Sequence, residues 1–398
     1  MDNQTPTSPL LKAGLIRKSF GLKDQIQADL IRDYDSPIVR KIVEGDHTYK
    51  DKGITFHVAS SFGFCYGVDR AVDLAYETRE RFPDRRIFLT AQIIHNPRVN
   101  RNLREMGILF LEDYNEVYRE DVVILPAFGA TAQQIETLTG KGCVLVDTTC
   151  GSVLNVWKRV EGYAQEGFTA VIHGKYYHEE TQATSSRVLG YPQGRYLVVL
   201  NMEETETVCD YIVRGGDREK FLRQFEKQAS PGFDPDRDLE KIGVANQTTM
   251  LMSESLAIAE RLKKELVKKY GESEVGRHFR NFDTICSATE DRQNAMKELV
   301  KNDLDLILVI GGFNSSNTNH LAKMAAAYRK SFHIEDADCL LSAREIRHKP
   351  VGRFEAVVTE NWLPAGPIQI GISSGASTPN QVMGDVIERV LSFRQVPS

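Results

Sequence analysis

The sequence predicts an α/β protein built of three related units, each around a mainly parallel sheet. Two observations carry that expectation. Short β-rich runs alternate with amphipathic stretches along most of the 398 residues, the pattern of layered parallel α/β folds. Three cysteines, Cys65, Cys150 and Cys286, also share one setting, each closing a strand-like run and opening a helix-like one.

The elements follow in order. Residues 1–53 are polar, with Asp24, Asp29, Asp33 and Asp35, and read as an accessory amino-terminal arm. Residues 54–150 form the first unit, with strand-like runs at 54–59, 86–94, 121–128 and 143–149 and a helix-like stretch at 68–81. Cys65 opens this unit and Cys150 closes it. Residues 151–282 form the second, with helices expected at 153–165 and 253–269 and strands at 169–174, 196–200 and 241–246. Inside it, 214–239 carries Gly215, Gly216, Pro231, Gly232 and Pro235 and reads as a surface insertion. Residues 283–398 form the third, with helices at 291–301 and 317–329 and strands at 304–311, 356–360 and 368–373. The interval from Cys150 to Cys286 exceeds that from Cys65 to Cys150, and approaches it once the insertion is discounted. In open α/β sheets ligands sit beyond the carboxyl ends of the strands, so three such units facing one another would bring the cysteines to one centre.

Composition narrows the function. With 41% hydrophobic and 26% charged residues the chain can bury a large core. A net charge of -5 lacks the basic excess of nucleic-acid binders, so no nucleic acid is expected and any anionic ligand must be held locally. No apolar run approaches the ~20 residues that span a bilayer. The first residues lack the basic start and apolar centre of an export signal. A cytoplasmic protein without a membrane partner is therefore expected. In that reducing compartment six cysteines point to metal binding or catalysis over disulfides.

Backbone N–H groups and the dipole at a helix start favour thiolate, the form that binds metal. A single cysteine at a strand end is more often a small core residue; three in matching contexts reverse those odds. Zinc sites usually pair their cysteines as Cys-x-x-Cys and use four protein ligands, and neither feature is present. The reading is one shared iron–sulfur cluster with an iron left open for substrate. Cys143, Cys209 and Cys339 lack the preceding turn and read as buried, inert thiols.

A second group of signals points to phosphate. Gly311 to Asn319, Gly-Gly-Phe-Asn-Ser-Ser-Asn-Thr-Asn, lies between an apolar strand and a helix. Its glycines permit close backbone approach, and its hydroxyls and amides supply neutral donors. An ordinary helix cap needs only one such residue. Ser373 to Pro379 is a similar, weaker segment. His95 and His178 each follow a strand; alone, a loop histidine is more often incidental. His178 with Glu180 is a stronger pair, because a histidine can donate to phosphate while a nearby carboxyl serves as proton source. Gln247-Thr248-Thr249, also at a strand end, could relay a proton or orient a hydroxyl.

Gly-Phe-Cys-x-Gly-Val, Ile-His-Asn, Asp-Thr-Thr-Cys, His-Glu-Glu-Thr, Gln-Thr-Thr, Asp-Thr-Ile-Cys-x-Ala-Thr, Asn-Ser-Ser-Asn and Gly-Ala-Ser-x-Pro occur here in one order. In that order the chain resembles the 4-hydroxy-3-methylbut-2-enyl diphosphate reductases, over about residues 55 to 395. The resemblance implies three α/β units in a trefoil around one [4Fe-4S] cluster per chain, held by Cys65, Cys150 and Cys286 with one iron open. It implies that His95, His178, Ser315, Ser316, Asn317 and Ser377 bind the diphosphate, that Thr248 sits by the substrate hydroxyl, and that Glu180 donates the proton. The implied reaction removes an allylic hydroxyl reductively, giving isopentenyl and dimethylallyl diphosphates at the end of the non-mevalonate pathway. The implied electron donor is a ferredoxin, or a flavodoxin with its reductase. Phe128 stands where many bacterial members have histidine, as in the plant and cyanobacterial branch. Gly151 stands where proline commonly follows the middle cysteine. Two other readings are an iron–sulfur redox sensor or electron-transfer protein, and a zinc-dependent diphosphate hydrolase.

Overall fold

The computed structural model describes residues 15–282 and 284–394. Residues 1–14 of the expected arm, and Asp283 of the third cysteine motif, lie outside them. The chain groups into two compact units, one of residues up to 18, 84–91 and 109–286, the other of residues 19–83, 92–108 and 287–398.

The first unit holds two four-stranded sheets. One has the order Ile108–Phe110, Ile87–Leu89, Val122–Leu125, Val144–Asp147; the other has the order Phe279–Asn281, Ile242–Asn246, Thr169–His173, Tyr196–Val199. Ile87–Leu89, Val122–Leu125 and Val144–Asp147 run parallel to one another, as do all four strands of the second sheet. Val122–Leu125, Thr169–His173 and Ile242–Asn246 are buried at every position, as expected where helices cover both faces of a parallel sheet.

The second unit is built on a five-stranded sheet of order Thr48–Asp51, Ile54–Val58, Ile368–Ser374, Leu306–Ile310, Ser331–Ile334. Three of its four pairings are parallel. Only the outermost strand, Thr48–Asp51, runs antiparallel to its neighbour, and its charged, half-exposed residues leave an edge unsuited to further pairing. The fold is thus α/β with three mainly parallel sheets, as the alternation predicts.

The structure differs from the expected organisation at four places. The strand before Cys65 pairs with Ile368–Ser374 near the other end of the chain, not with the strands that follow it. Residues 23–44, expected as an accessory arm, form two helices that bury Ile26, Tyr34, Val39 and Ile42, the last two in one core cluster with Ile54 and Phe56. The segment 214–239, expected as a surface insertion, is anchored from within: Phe221, Phe225, Phe233 and Leu239 pack into the core with Val244 and Leu262. Its glycines and prolines mark turns between helical pieces that are anchored by these side chains. The expected strand at 356–360 is present as Val357–Glu360 but belongs to a separate two-stranded antiparallel ribbon with Glu345–His348.

Candidate functional site

Each predicted site residue follows the carboxyl end of a strand in one of these sheets within seven residues, where parallel α/β folds place ligands.

In the first unit, Cys150 and Cys286 each stand immediately before a helix, Gly151–Gln165 and Ser287–Leu299. Asp147 builds the approach to Cys150. Its carboxylate is fully buried, bonds Arg17 at 2.6 Å, accepts from the Thr149 N–H at 3.0 Å and also takes the Thr149 hydroxyl. The Cys150 N–H then donates to Ala127 O at 2.8 Å, which ties the cysteine to the loop carrying Phe128. Gly129 follows with φ +88°, and a Cβ there would collide with the Trp157 ring, so the loop turns where only glycine fits.

The Phe128 ring stands edge-on to His178, with centroids 6.3 Å apart. His178 caps the helix Glu179–Val188, its Nδ1 accepting from the Glu180 N–H at 3.1 Å. Nδ1 therefore carries no proton, and the ring's proton is on Nε2, which makes Nε2 a donor. Glu180 is 3% exposed. One of its oxygens accepts from the Thr248 N–H at 2.5 Å and the other from the Thr248 hydroxyl at 3.0 Å. Burial pushes its carboxyl up to about 7, against the pull of those two bonds towards the charged form.

Thr248 in turn reaches the third cysteine, because its carbonyl accepts from the Cys286 N–H at 3.4 Å. Cys150, Phe128, His178, Glu180, Thr248 and Cys286 thus form one continuous series of contacts within this unit.

Two residues that support the series were not singled out by sequence. Asn246 donates to the Thr284 hydroxyl at 3.1 Å through its side chain and at 2.8 Å through its N–H, joining the Cys286 loop to the strand before Thr248. The signal was available: Thr284 in Asp-Thr-Ile-Cys occupies the position that Thr148 holds in Asp-Thr-Thr-Cys. Gln247, seen only as part of a tripeptide, accepts from Lys175 N–H at 3.1 Å and Thr181 Oγ1 at 3.2 Å, and donates to Thr249 at 2.9 Å. It joins two strand-end loops.

In the second unit, Cys65 stands before the helix Tyr66–Arg81, and its N–H donates to Ala376 O at 3.1 Å. The Ala376 N–H donates to Asn317 Oδ1 at 3.2 Å. Neighbouring Ser377 donates from its hydroxyl to His95 O at 3.3 Å. A Cβ on Gly312 would lie 2.4 Å from that same His95 oxygen, which is why the loop opens with glycines. Cys65, Asn317, Ser377 and His95 are thereby gathered in this unit.

The donor-rich loop divides its labour. Ser315, expected as a ligand contact, accepts from the Thr318 N–H at 3.3 Å and from its hydroxyl at 2.9 Å, so it acts as helix cap. Asn319 donates to Phe313 O and Ser315 O. Ser316 Oγ and Asn317 Nδ2 are buried without a hydrogen-bond partner at the start of the 11-residue helix Ser316–Ala326. Orphaned donors beside a helix N-terminus make an anion receptor.

None of the six cysteines is in a disulfide. Burial pushes the Cys209 thiol up to about 12 and raises those of Cys143 and Cys339, so these three are poor ligands, although Cys143 is half-buried where full burial was expected. Neither Cys65 nor Cys150 spends its sulfur on capping the helix it precedes. The chemistry of the donor set, three thiols at helix N-termini, fits an iron–sulfur cluster.

Residues 56–391 match a family described as LytB protein. A 4-hydroxy-3-methylbut-2-enyl diphosphate reductase of Gloeobacter violaceus is 49% identical over 391 residues, covering 96% of this chain and 93% of that protein. One from a Synechococcus species is 50% identical, covering 95% of this chain and 96% of the relative. Among solved structures, one of (E)-4-hydroxy-3-methyl-but-2-enyl diphosphate reductase, the terminal enzyme of the non-mevalonate pathway, shares 27% identity over 84% of this chain and 98% of that one, with a TM-score of 0.50. The fold is shared also with the diphosphate reductase of Plasmodium falciparum, at 22% identity and a TM-score of 0.60, over 84% of this chain and 86% of that one.

Proposed function

Because the chain belongs to the LytB protein family, we propose that it is a 4-hydroxy-3-methylbut-2-enyl diphosphate reductase, an oxidoreductase of the non-mevalonate isoprenoid pathway. Its reaction removes the allylic hydroxyl with two electrons and two protons, releasing water and giving isopentenyl and dimethylallyl diphosphates.

The observation that carries the reading is the buried Glu180–Thr248 pair. A carboxyl with its pKa near 7 is half protonated at neutral pH and can give its proton to a departing hydroxyl. Thr248 donates to both oxygens of that carboxyl, so its orientation is held. His178, with its proton on Nε2, Ser315, Ser316, Asn317, Ser377 and His95 bind the diphosphate, Ser315 also capping its helix. Phe128 offers no donor; its ring packs against His178 and keeps that imidazole oriented.

Cys65, Cys150 and Cys286 hold one [4Fe-4S] cluster, which when bound supplies electrons and a Lewis-acidic iron for the substrate oxygen. The electron donor is a ferredoxin, or a flavodoxin with its reductase, and the protein works in the cytoplasm. Among the described residues no helix is long and apolar enough to cross a membrane.

The test is turnover by anaerobically reconstituted protein supplied with the hydroxylated diphosphate and a strong reductant. Consumption of substrate with formation of the two isomeric products is expected. Cluster-loaded protein that leaves the substrate untouched would sink the proposal. Cys286→Ser is expected to abolish the cluster's visible absorption, since a neutral hydroxyl replaces a thiolate ligand; retention of a full cluster would remove Cys286 from the ligand set.

A further inference from the structure

Gly311, Gly312 and Phe313 carry no side-chain donor, yet their path decides where Ser316 and Asn317 point. Three polar side chains from neighbouring elements are spent on this short backbone stretch. His333, at the end of the strand Ser331–Ile334, has Nε2 2.9 Å from Gly311 O. A carbonyl only accepts, so Nε2 donates. Burial pulls His333 down to about 4, which keeps it neutral at physiological pH. Glu335, two residues on, accepts from the Phe313 N–H at 3.0 Å. Lys349, just beyond the strand Glu345–His348, donates from Nζ to Phe313 O at 2.7 Å, while its own N–H donates to His333 O at 2.9 Å.

Phe313 thus has a carboxylate on its N–H and an ammonium on its carbonyl, and that carbonyl also accepts from the neutral Asn319 amide at 2.9 Å. Asn319 already ties the carbonyl down, so the ammonium, with its higher desolvation cost, is not needed merely to hold the loop. From Gly311 to Asn319 the chain contains no lysine or arginine. Lys349 is thus a cation placed behind an anion receptor that has none of its own.

We infer that Lys349 and Glu335 are positioning residues for anion recognition, holding Phe313 so that the helix start and the open donors of Ser316 and Asn317 meet a diphosphate. This inference rests on reading the loop as the diphosphate receptor. Lys349 adds favourable charge through the Phe313 peptide without touching the ligand, and Glu335 offsets the cost of half-burying that ammonium.

Lys349→Met, Lys349→Arg and wild type are compared in two measurements: binding of inorganic pyrophosphate by titration calorimetry, and steady-state reduction by cluster-loaded protein. Lys349→Met is expected to weaken pyrophosphate binding and raise KM by about two- to fivefold, the scale of a charge that acts at a helix start without contacting the anion. Its kcat should stay within about twofold of wild type with an unchanged cluster spectrum, because no reacting group is altered. Lys349→Arg should restore most of the affinity. Wild-type affinity in Lys349→Met overturns the inference, as do a wild type that binds no pyrophosphate and a variant whose kcat and cluster content fall together without rescue by arginine. Lys349-dependent pyrophosphate binding in a protein that reduces no substrate would sink the reductase reading and leave the positioning role intact.

Discussion

Glu180 is a carboxyl buried in the first unit whose two hydrogen bonds both come from one threonine. Replacement by glutamine keeps the shape, with its oxygen accepting from the Thr248 N–H and its NH2 donating to the Thr248 hydroxyl, but removes the acid. Glu180→Gln is expected to lower kcat by about 10²–10⁴-fold, the usual contribution of a general acid, while the cluster and substrate affinity persist; near-normal turnover would end its acid role. In the wild type kcat should fall as pH rises through about 7, as the carboxyl loses its proton. Stability follows the same sign. The folded-state pKa lies above the unfolded one, so the native state holds the proton more tightly, and the stabilisation present below the ordinary glutamate value of 4.5 is lost as pH rises through about 7. Denaturant unfolding at about pH 5 and about pH 8 should show a steeper decline for wild type than for Glu180→Gln. Glu180 was legible in sequence beside His178. That it bonds Thr248, 68 residues away, was not, because such a contact has no local signature.

At the scale of elements, sequence pattern located what periodicity can locate. Long amphipathic helices such as Tyr66–Arg81 and Met252–Tyr270 and buried strands such as Leu306–Ile310 fall where expected. Thr48–Asp51 and Pro97–Glu105 were missed, since an exposed edge strand and a short polar helix bury too few residues to show a period. Gly151 illustrates what the element itself decides. It is the first residue of its helix, a Cβ there meets nothing within 4 Å, and Cys150 before it is extended at ψ 142°. Proline is well suited to such a position. Gly151→Pro is expected to stabilise the protein by about 0.4–1 kcal/mol by restricting the unfolded chain, with cluster content unchanged. A fall in melting temperature would mean that the glycine serves the cysteine's loop.

At the scale of the whole molecule, each compact unit is assembled from separate stretches of chain. The amino-terminal region illustrates the consequence. Its buried Ile26, Tyr34, Val39 and Ile42 contribute about 1.5–3 kcal/mol each, together comparable with the ~5–15 kcal/mol that holds a typical domain folded. Deleting residues 15–53 should therefore yield insoluble or unfolded protein, read by circular dichroism and yield. A soluble, cluster-binding truncation would restore the accessory-arm reading.

By itself the sequence determined the α/β class, the three cysteines at strand–helix junctions, the donor-rich loop and the placing of Glu180 beside His178. These are local facts, set by periodicity and by residue type at a helix start. Only the tertiary structure decided that the strand before Cys65 pairs with Ile368–Ser374, that Thr248 holds Glu180, and that Ser315 caps while Ser316 and Asn317 remain open. Pairing between distant strands and the raised pKa of a buried carboxyl depend on which surfaces exclude water together. That is a property of packing, which no stretch of sequence carries alone.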